Sequence, residues 1–290
     1  MKKILVPLDF SEDSAMVARY ALDFARAEDA RICLMHSAFD RLVIPERTFP
    51  GSIETEYYIS EQLLKDQQEQ AGERLKLQLK LIRKIAREEG ISGAVFTTHT
   101  GGAEPAFEIL EYSAVFLPDL IVMGSSGSGN KGFLEGSVSK RVMNNASVPV
   151  LAVSRECDYK RVKNILYMTD FEKADLAAIQ SVFRIFGRQP VHISVLHLAN
   201  EYRMEEAERQ MEELRKKFKN EEKKGLIGFF TEKRLDYRKE VLEFISAGDI
   251  HLVSFIPHKR NFLEGFFRKV MTKKDLFEAG LPLLAIPANG

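Results

Sequence analysis

Two stretches of this chain are versions of one another, and the duplication limits the fold more than any other feature. "KKILVPLDFSE" at residues 2–12 returns as "KNILYMTDFEK" at 163–173. Ile4, Leu5, Asp9 and Phe10 thus recur as Ile165, Leu166, Asp170 and Phe171, a constant offset of 161. The same offset lays "ICLMH" (32–36) on "ISVLH" (193–197), so His36 corresponds to His197. Near the ends, "VPVLAV" (148–153) corresponds to "LPLLAI" (281–286), now at offset 133. The second copy has therefore lost about 28 residues, from its middle and from a glycine-rich loop. A duplicated unit in 290 residues implies two domains of about 150 residues each. Their expected bounds are 1–156 and 161–290, with a joint near 155–162.

Within the first copy, "ILVPL", "RICLMHS", "AVFTTH", "DLIVMG" and "PVLAV" are apolar runs of strand length. Between them "SEDSAMVARYALDFARA" has apolar residues at helical spacing, with Ser11 placed as an N-cap. A long charged amphipathic helix is expected from Glu61 to Glu89, and a shorter one in "EPAFEILEYSAVF". Residues 39–58, with two prolines and no period, read as an excursion. The second copy repeats the alternation with "NILYMT", "VHISVLH", "IGFFTE", "HLVSFI" and "LPLLAI". Continuous apolar strands separated by helices require a parallel sheet covered on both faces. The expected fold is α/β: two tandem five-stranded, Rossmann-like parallel-sheet domains, packed on each other through corresponding surfaces.

Lys plus Arg equals Asp plus Glu, at 42 each, which gives no reason to expect nucleic acid or an acidic membrane as partner. The run "RKKFKNEEKK" (215–224) interleaves acids with its bases and reads as a solvated helix face. Cys33 and Cys157 have no metal or redox spacing, and the histidines show no metal pairing. Asp9 interrupts "MKKILVPLDF" too early for a secretory signal, and no apolar run has transmembrane length. A cytoplasmic protein is expected.

The chemistry concentrates in "GSSGSGNKGFLEGSVSKRV" (124–142), directly after the run "DLIVM". It is no Walker A loop: after Gly124 and Gly129 come Asn130 and Lys131, with no Ser or Thr for magnesium. Gly127, Gly129 and Gly132 satisfy G-x-G-x-x-G, yet a dinucleotide fingerprint belongs after the first strand and this follows the fourth. Gly136 and Ser137 then open a helix, whose free amides and positive dipole end favour an anion. Ligands of open parallel sheets sit beyond the carboxyl ends of the strands, where Asp9 would also lie. Asp9 is read two ways there, as an acceptor for a ribose or adenine group and as a local cap.

"ILVPLDFS", "ICLMHSAF", "DLIVMGSSG", "GSVSKRV" and "VPVLAV" together resemble the universal stress protein family in its tandem two-domain form, over essentially the whole chain. The resemblance implies an ATP-binding or a non-binding member, binders carrying G-x2-G-x9-G-S/T after the fourth strand. It assigns Gly124 and Gly127 as the first two glycines. Gly136, Ser137 and the Val138 amide fall at the phosphates, Pro7, Leu8 and Asp9 beside adenosine, and Ser37 facing adenine through its backbone. The spacer 128–135 has eight residues instead of nine; Gly129 and Gly132 absorb the deletion or the cradle is spoiled. The second copy keeps Asp170, as a helix cap, but puts Ile256 and Lys259 opposite Gly124 and Gly127, and Phe266–Phe267 after Gly265. The expected function is a stress-response protein holding ATP, carried with Mg, in its first domain, with little or no hydrolysis. The alternative is an interaction protein of the same fold without nucleotide. Pairing of two whole chains into a homodimer is left open.

Overall fold

The structure is a computed structural model and describes residues 1–11, 14–38, 53–125, 137–153, 157, 159–233, 237–257 and 280–288. The first half runs β1 (Lys2–Pro7), α1 (Ser14–Ala27), β2 (Ala30–Ser37), α2 (Ile53–Glu88), β3 (Ala94–Gly101), α3 (Pro105–Phe116), β4 (Leu120–Gly124), α4 (Ser137–Asn145) and β5 (Val150–Val153). The second runs β6 (Asn164–Met168), α5 (Asp175–Phe186), β7 (His192–Ala199), α6 (Met204–Arg215), α7 (Lys219–Lys223), β8 (Ile227–Lys233), α8 (Tyr237–Ala247), β9 (Leu252–Phe255) and β10 (Leu283–Ala285).

All ten strands form one sheet in the order β3-β2-β1-β4-β5-β10-β9-β6-β7-β8. Every pairing within a half is parallel, and the halves join through one antiparallel pair, β5 with β10. In that pair Leu151 sits opposite Leu284, its own counterpart at offset 133, as a two-fold axis through the seam requires. The alternation of the pleat sorts the core into two layers. Ile4, Val6, Ile32 and Leu34 pack under α1 and α2, and Leu5, Cys33 and Met35 pack against α3 and α4. Both layers continue through the second half, with Ile179 and Val182 of α5 in the first and Val241 and Ile245 of α8 in the second.

Over the seam α1 meets α5. Phe24 and Phe186 lie with ring centroids 5.4 Å apart, and Tyr20 meets Tyr159 edge-on at 5.4 Å. The Tyr159 hydroxyl donates to buried Asp23 at 2.5 Å. Lys2, also buried, has its charge compensated by Glu28 of its own half at 2.6 Å and donates across the seam to the Ile185 carbonyl.

Two local expectations are corrected, and a third falls partly outside the described residues. α2 begins at Ile53, so 53–58 belong to the helix and not to an excursion; no proline interrupts residues 51–104. α1 is described from Ser14; residues 12 and 13, on which an N-cap at Ser11 would act, lie outside the described residues, and the Ser11 amide and hydroxyl both donate to Asp9. The charged run 215–224 is not one helix face: α6 ends at Arg215, a 3₁₀ turn covers Lys216–Phe218, and α7 follows. Phe218 is buried and packs near Phe229 (centroids 6.2 Å), pinning the segment while its charged neighbours stay solvated.

Candidate functional site

The carboxyl ends of β1, β2 and β4 define a crevice at the point where strand order reverses, with β1 between β2 and β4. Pro7 ends β1, half-buried; Leu8 is buried, its amide donating to the Met35 carbonyl at 2.8 Å. The Leu8 carbonyl accepts from His36 Nδ1 at 2.6 Å, and the His36 ring lies 4.2 Å from that of Phe10. Burial, with the charge of Arg74 as a smaller cause, pushes the His36 pKa below its ordinary value, partly offset by the Leu8 bond and Asp9. Asp9 is exposed at the lip. Its Oδ1 accepts from the Ser11 amide at 3.0 Å and the Ser11 hydroxyl at 2.6 Å, closing an Asx turn. That turn carries Phe10 at φ 58°.

At β4 the chain leaves through Gly124, paired with Val153, and Ser125, whose amide donates to the Val153 carbonyl at 2.8 Å. Gly127 and Gly136 lie outside the described residues, as do 126–136 altogether. Ser137 is the first residue of α4, and Val138 is half-buried against the core. The first turn of α4 is hooked to the β4 exit by Ser139, whose hydroxyl donates to the Ser125 carbonyl at 2.8 Å. That bond, which the sequence did not announce, holds the amino end of α4 beside the crevice. Two hydroxyls flanking the crevice, Ser14 Oγ and Ser125 Oγ, are buried and have no hydrogen-bond partner among the described residues. A buried hydroxyl without a partner costs free energy unless something supplies one.

The far wall is the turn between β3 and α3. The Ser37 hydroxyl donates to the Ala103 carbonyl, tying β2 to this turn. Glu108 reaches back from α3 to accept from the Ala103 amide at 3.0 Å. Gly101 makes that possible: a Cβ there would fall 2.1 Å from the Glu108 side chain. Glu104 caps α3, accepting from the Ala106 and Phe107 amides at 3.3 and 3.2 Å, and pairs with Arg141 of α4 at 2.7 Å.

The second half repeats the scaffold. His197 Nδ1 contacts the Thr169 carbonyl at 2.7 Å, Phe171 has φ 58°, and the two rings lie 4.3 Å apart. The polar groups at its strand exit, however, are paired with one another. Asp175, at the position of Ser14, is buried and accepts from Tyr167 Oη (2.7 Å), Thr169 Oγ1 (2.5 Å) and the Glu172 amide (2.7 Å). Asp170 is not the cap expected of it: it is mostly exposed, and Asp175 and Thr169 satisfy the free amides of the turn. Pairing of β9 to β6 and of β4 to β1 places Ile256, 3% exposed, in the register position of Gly124. Lys259 and Phe266–Phe267 lie outside the described residues.

A doubly wound parallel half-sheet, with a crevice position at its switch point and a second half built to the same plan, defines a class of α/β proteins. The comparisons make the class specific. The model of the universal stress protein family matches residues 1–154, and the chain belongs to that family. It is 34% identical over 156 residues to a universal stress protein of Methanocaldococcus jannaschii, covering 53% of this chain and 82% of that one. It is 32% identical over 152 residues to one of Bacillus subtilis, covering 52% of this chain and 97% of the other. A universal stress protein structure from Archaeoglobus fulgidus has the same fold over 98% of this chain and 96% of its own, with TM-score 0.67 at 19% identity. Relatives of half the length and a structure of the whole length fit a tandem arrangement.

Proposed function

We propose that residues 1–156 form a domain that binds ATP or a related adenine nucleotide, and that residues 161–290 form a partner domain of the same fold without a site. The protein would act as a cytoplasmic stress-response protein that holds nucleotide with little or no hydrolysis. The observation that carries the reading is the contrast between the halves. Ser14 and Ser125 have hydroxyls without a partner among the described residues at one crevice, while at the other Asp175 takes up Tyr167 and Thr169 and Ile256 stands in the register of Gly124. The open crevice suits the group: Gly124 lets backbone approach a phosphate, α4 presents its amino end, and the two hydroxyls can donate.

The same geometry argues against rapid turnover. Asp9 spends one carboxylate oxygen on Ser11, and His36 donates its Nδ1 proton to the Leu8 carbonyl. These are positioning bonds and leave no aligned base–nucleophile pair. Among the described residues no group of three His, Cys, Asp or Glu could hold a metal ion, so magnesium would arrive with the nucleotide.

The second reading, an interaction protein without nucleotide, draws on the eight-residue spacer 128–135 and on the exposed Phe107, Val115 and Leu117 around α3. A homodimer through that face would belong to it. Calorimetric titration with magnesium ATP separates the two. Binding at one ATP per chain, abolished by Gly124→Ile, supports the nucleotide reading; no heat at millimolar ATP rejects it.

A further inference from the structure

The Asp–Phe–His arrangement at the strand exits is the same in both halves, so it belongs to the scaffold. The ring pairs have centroids at 4.2 and 4.3 Å and interplanar angles of 40° and 38°. What differs is the helix beside it. α2 has 36 residues, where the second half has only the 12 of α6 and a short α7. At 1.5 Å per residue α2 is about 54 Å long, roughly twice the eight-residue strands it follows and precedes. It therefore overhangs the strand ends. Gln68 marks its path, lying against Gly102 where a Cβ would come within 3.1 Å of the amide nitrogen.

One side chain of this overhanging helix reaches the crevice. The Arg74 guanidinium stands over the Phe10 ring, 5.8 Å from its centroid, and its charge is felt at His36. Among the described residues no carboxylate pairs with it. Neighbouring Glu73 is taken by Lys76 at 2.7 Å, and the one oxygen that Asp9 commits goes to Ser11. No described cation stands over Phe171 in the second half. The half with the unpartnered hydroxyls is thus the half whose crevice carries a guanidinium without a paired carboxylate among the described residues. A planar, permanently charged fork held on an aromatic face is suited to a phosphate oxygen.

We propose that Arg74 is a ligand-contacting residue of the first half, recognising a phosphate group of the bound nucleotide and selecting nucleotide over nucleoside. This rests on the nucleotide reading above. It places a specificity group on α2, outside both the glycine loop and the β1 exit, and one with no counterpart among the described residues of the second half.

The test is titration of the full chain with magnesium ATP and with adenosine, using wild type, Arg74→Met and Arg74→Lys. Met keeps the apolar stem over Phe10 and removes the charge. Arg74 is exposed, so unchanged thermal melting is expected and serves as the folding control. Arg74→Met should weaken ATP by about ten-fold or more while moving adenosine less than about two-fold, and Arg74→Lys should fall between. Equal ATP affinity in wild type and Arg74→Met, or equal losses for ATP and adenosine, would overturn the assignment while leaving the nucleotide reading standing. If wild type binds neither ligand, the nucleotide reading fails and this assignment fails with it.

Discussion

At the residue scale, the two halves differ in how they treat one position. Ser14 has a hydroxyl without a partner among the described residues, whereas Asp175 gathers three donors inside the protein. Asp175→Ala strands Tyr167 Oη, Thr169 Oγ1 and an amide in a buried site, and should cost at least about 3 kcal/mol by chemical denaturation. Gly101→Ala should cost about 1–2 kcal/mol, because Glu108 must move and release the Ala103 amide. Histidine supplies a pH dependence. His251 Nδ1 accepts from the Asn164 amide at 3.1 Å, so it must be unprotonated there, and burial lowers its pKa as it does that of His36. Unfolded, both take up a proton near pH 6.5; folded, only at lower pH. Their contribution is complete above about pH 6.5 and is lost as pH falls below it toward the folded values. The denaturation midpoint should drop between pH 7.5 and 5.5, and His251→Ala should flatten that slope while lowering stability at pH 7.5. Individual roles were only partly legible in the sequence. Asp9 and Asp170 recur at a constant offset, yet the cap fell to Asp175, five residues on. A repeat shows which backbone positions correspond, not which side chain turns inward.

At the element scale, α2 shows what periodicity reveals and where it stops. Its apolar positions marked the helix, and Ala71, Leu75, Ile82 and Ala86 are its buried row. Leu75→Ala should cost about 2–5 kcal/mol, whereas Leu77→Ala, at a position 63% exposed, should change the melting midpoint little. The start of the helix was misplaced from sequence, since residues 53–58 carry no clear amphipathic period and only the absence of proline allows them to join. The strands were legible by their continuous apolar runs. The two edge strands are the exceptions: β3 exposes Val95 at 51% and β8 exposes Phe230 at 38%, and both mix polar residues with apolar ones accordingly. The hook between Ser139 and Ser125 carried no sequence signal, because a serine early in a helix is ordinary and its partner is a carbonyl. Arg74 was invisible for a related reason: it is one of many charges on a charged helix, and only the fold sets it over Phe10.

At the scale of the whole molecule, duplication and divergence divide the labour. One continuous sheet, sealed by the β5–β10 pair and by Lys2, Phe24, Tyr159 and Phe186 over it, couples the halves mechanically. Scanning calorimetry should accordingly show a single transition, since unfolding either half bares the seam strand and the apolar seam contacts of the other. On the proposal above, the second half stabilises the sheet and the first half carries ligand. The claim that unites these levels is one open site per chain. Native mass spectrometry of the gently purified protein, with magnesium ATP added stepwise, tests it most directly. The account predicts a shift of one nucleotide per chain and no further addition at saturation; two per chain, or none at millimolar ATP, would contradict it.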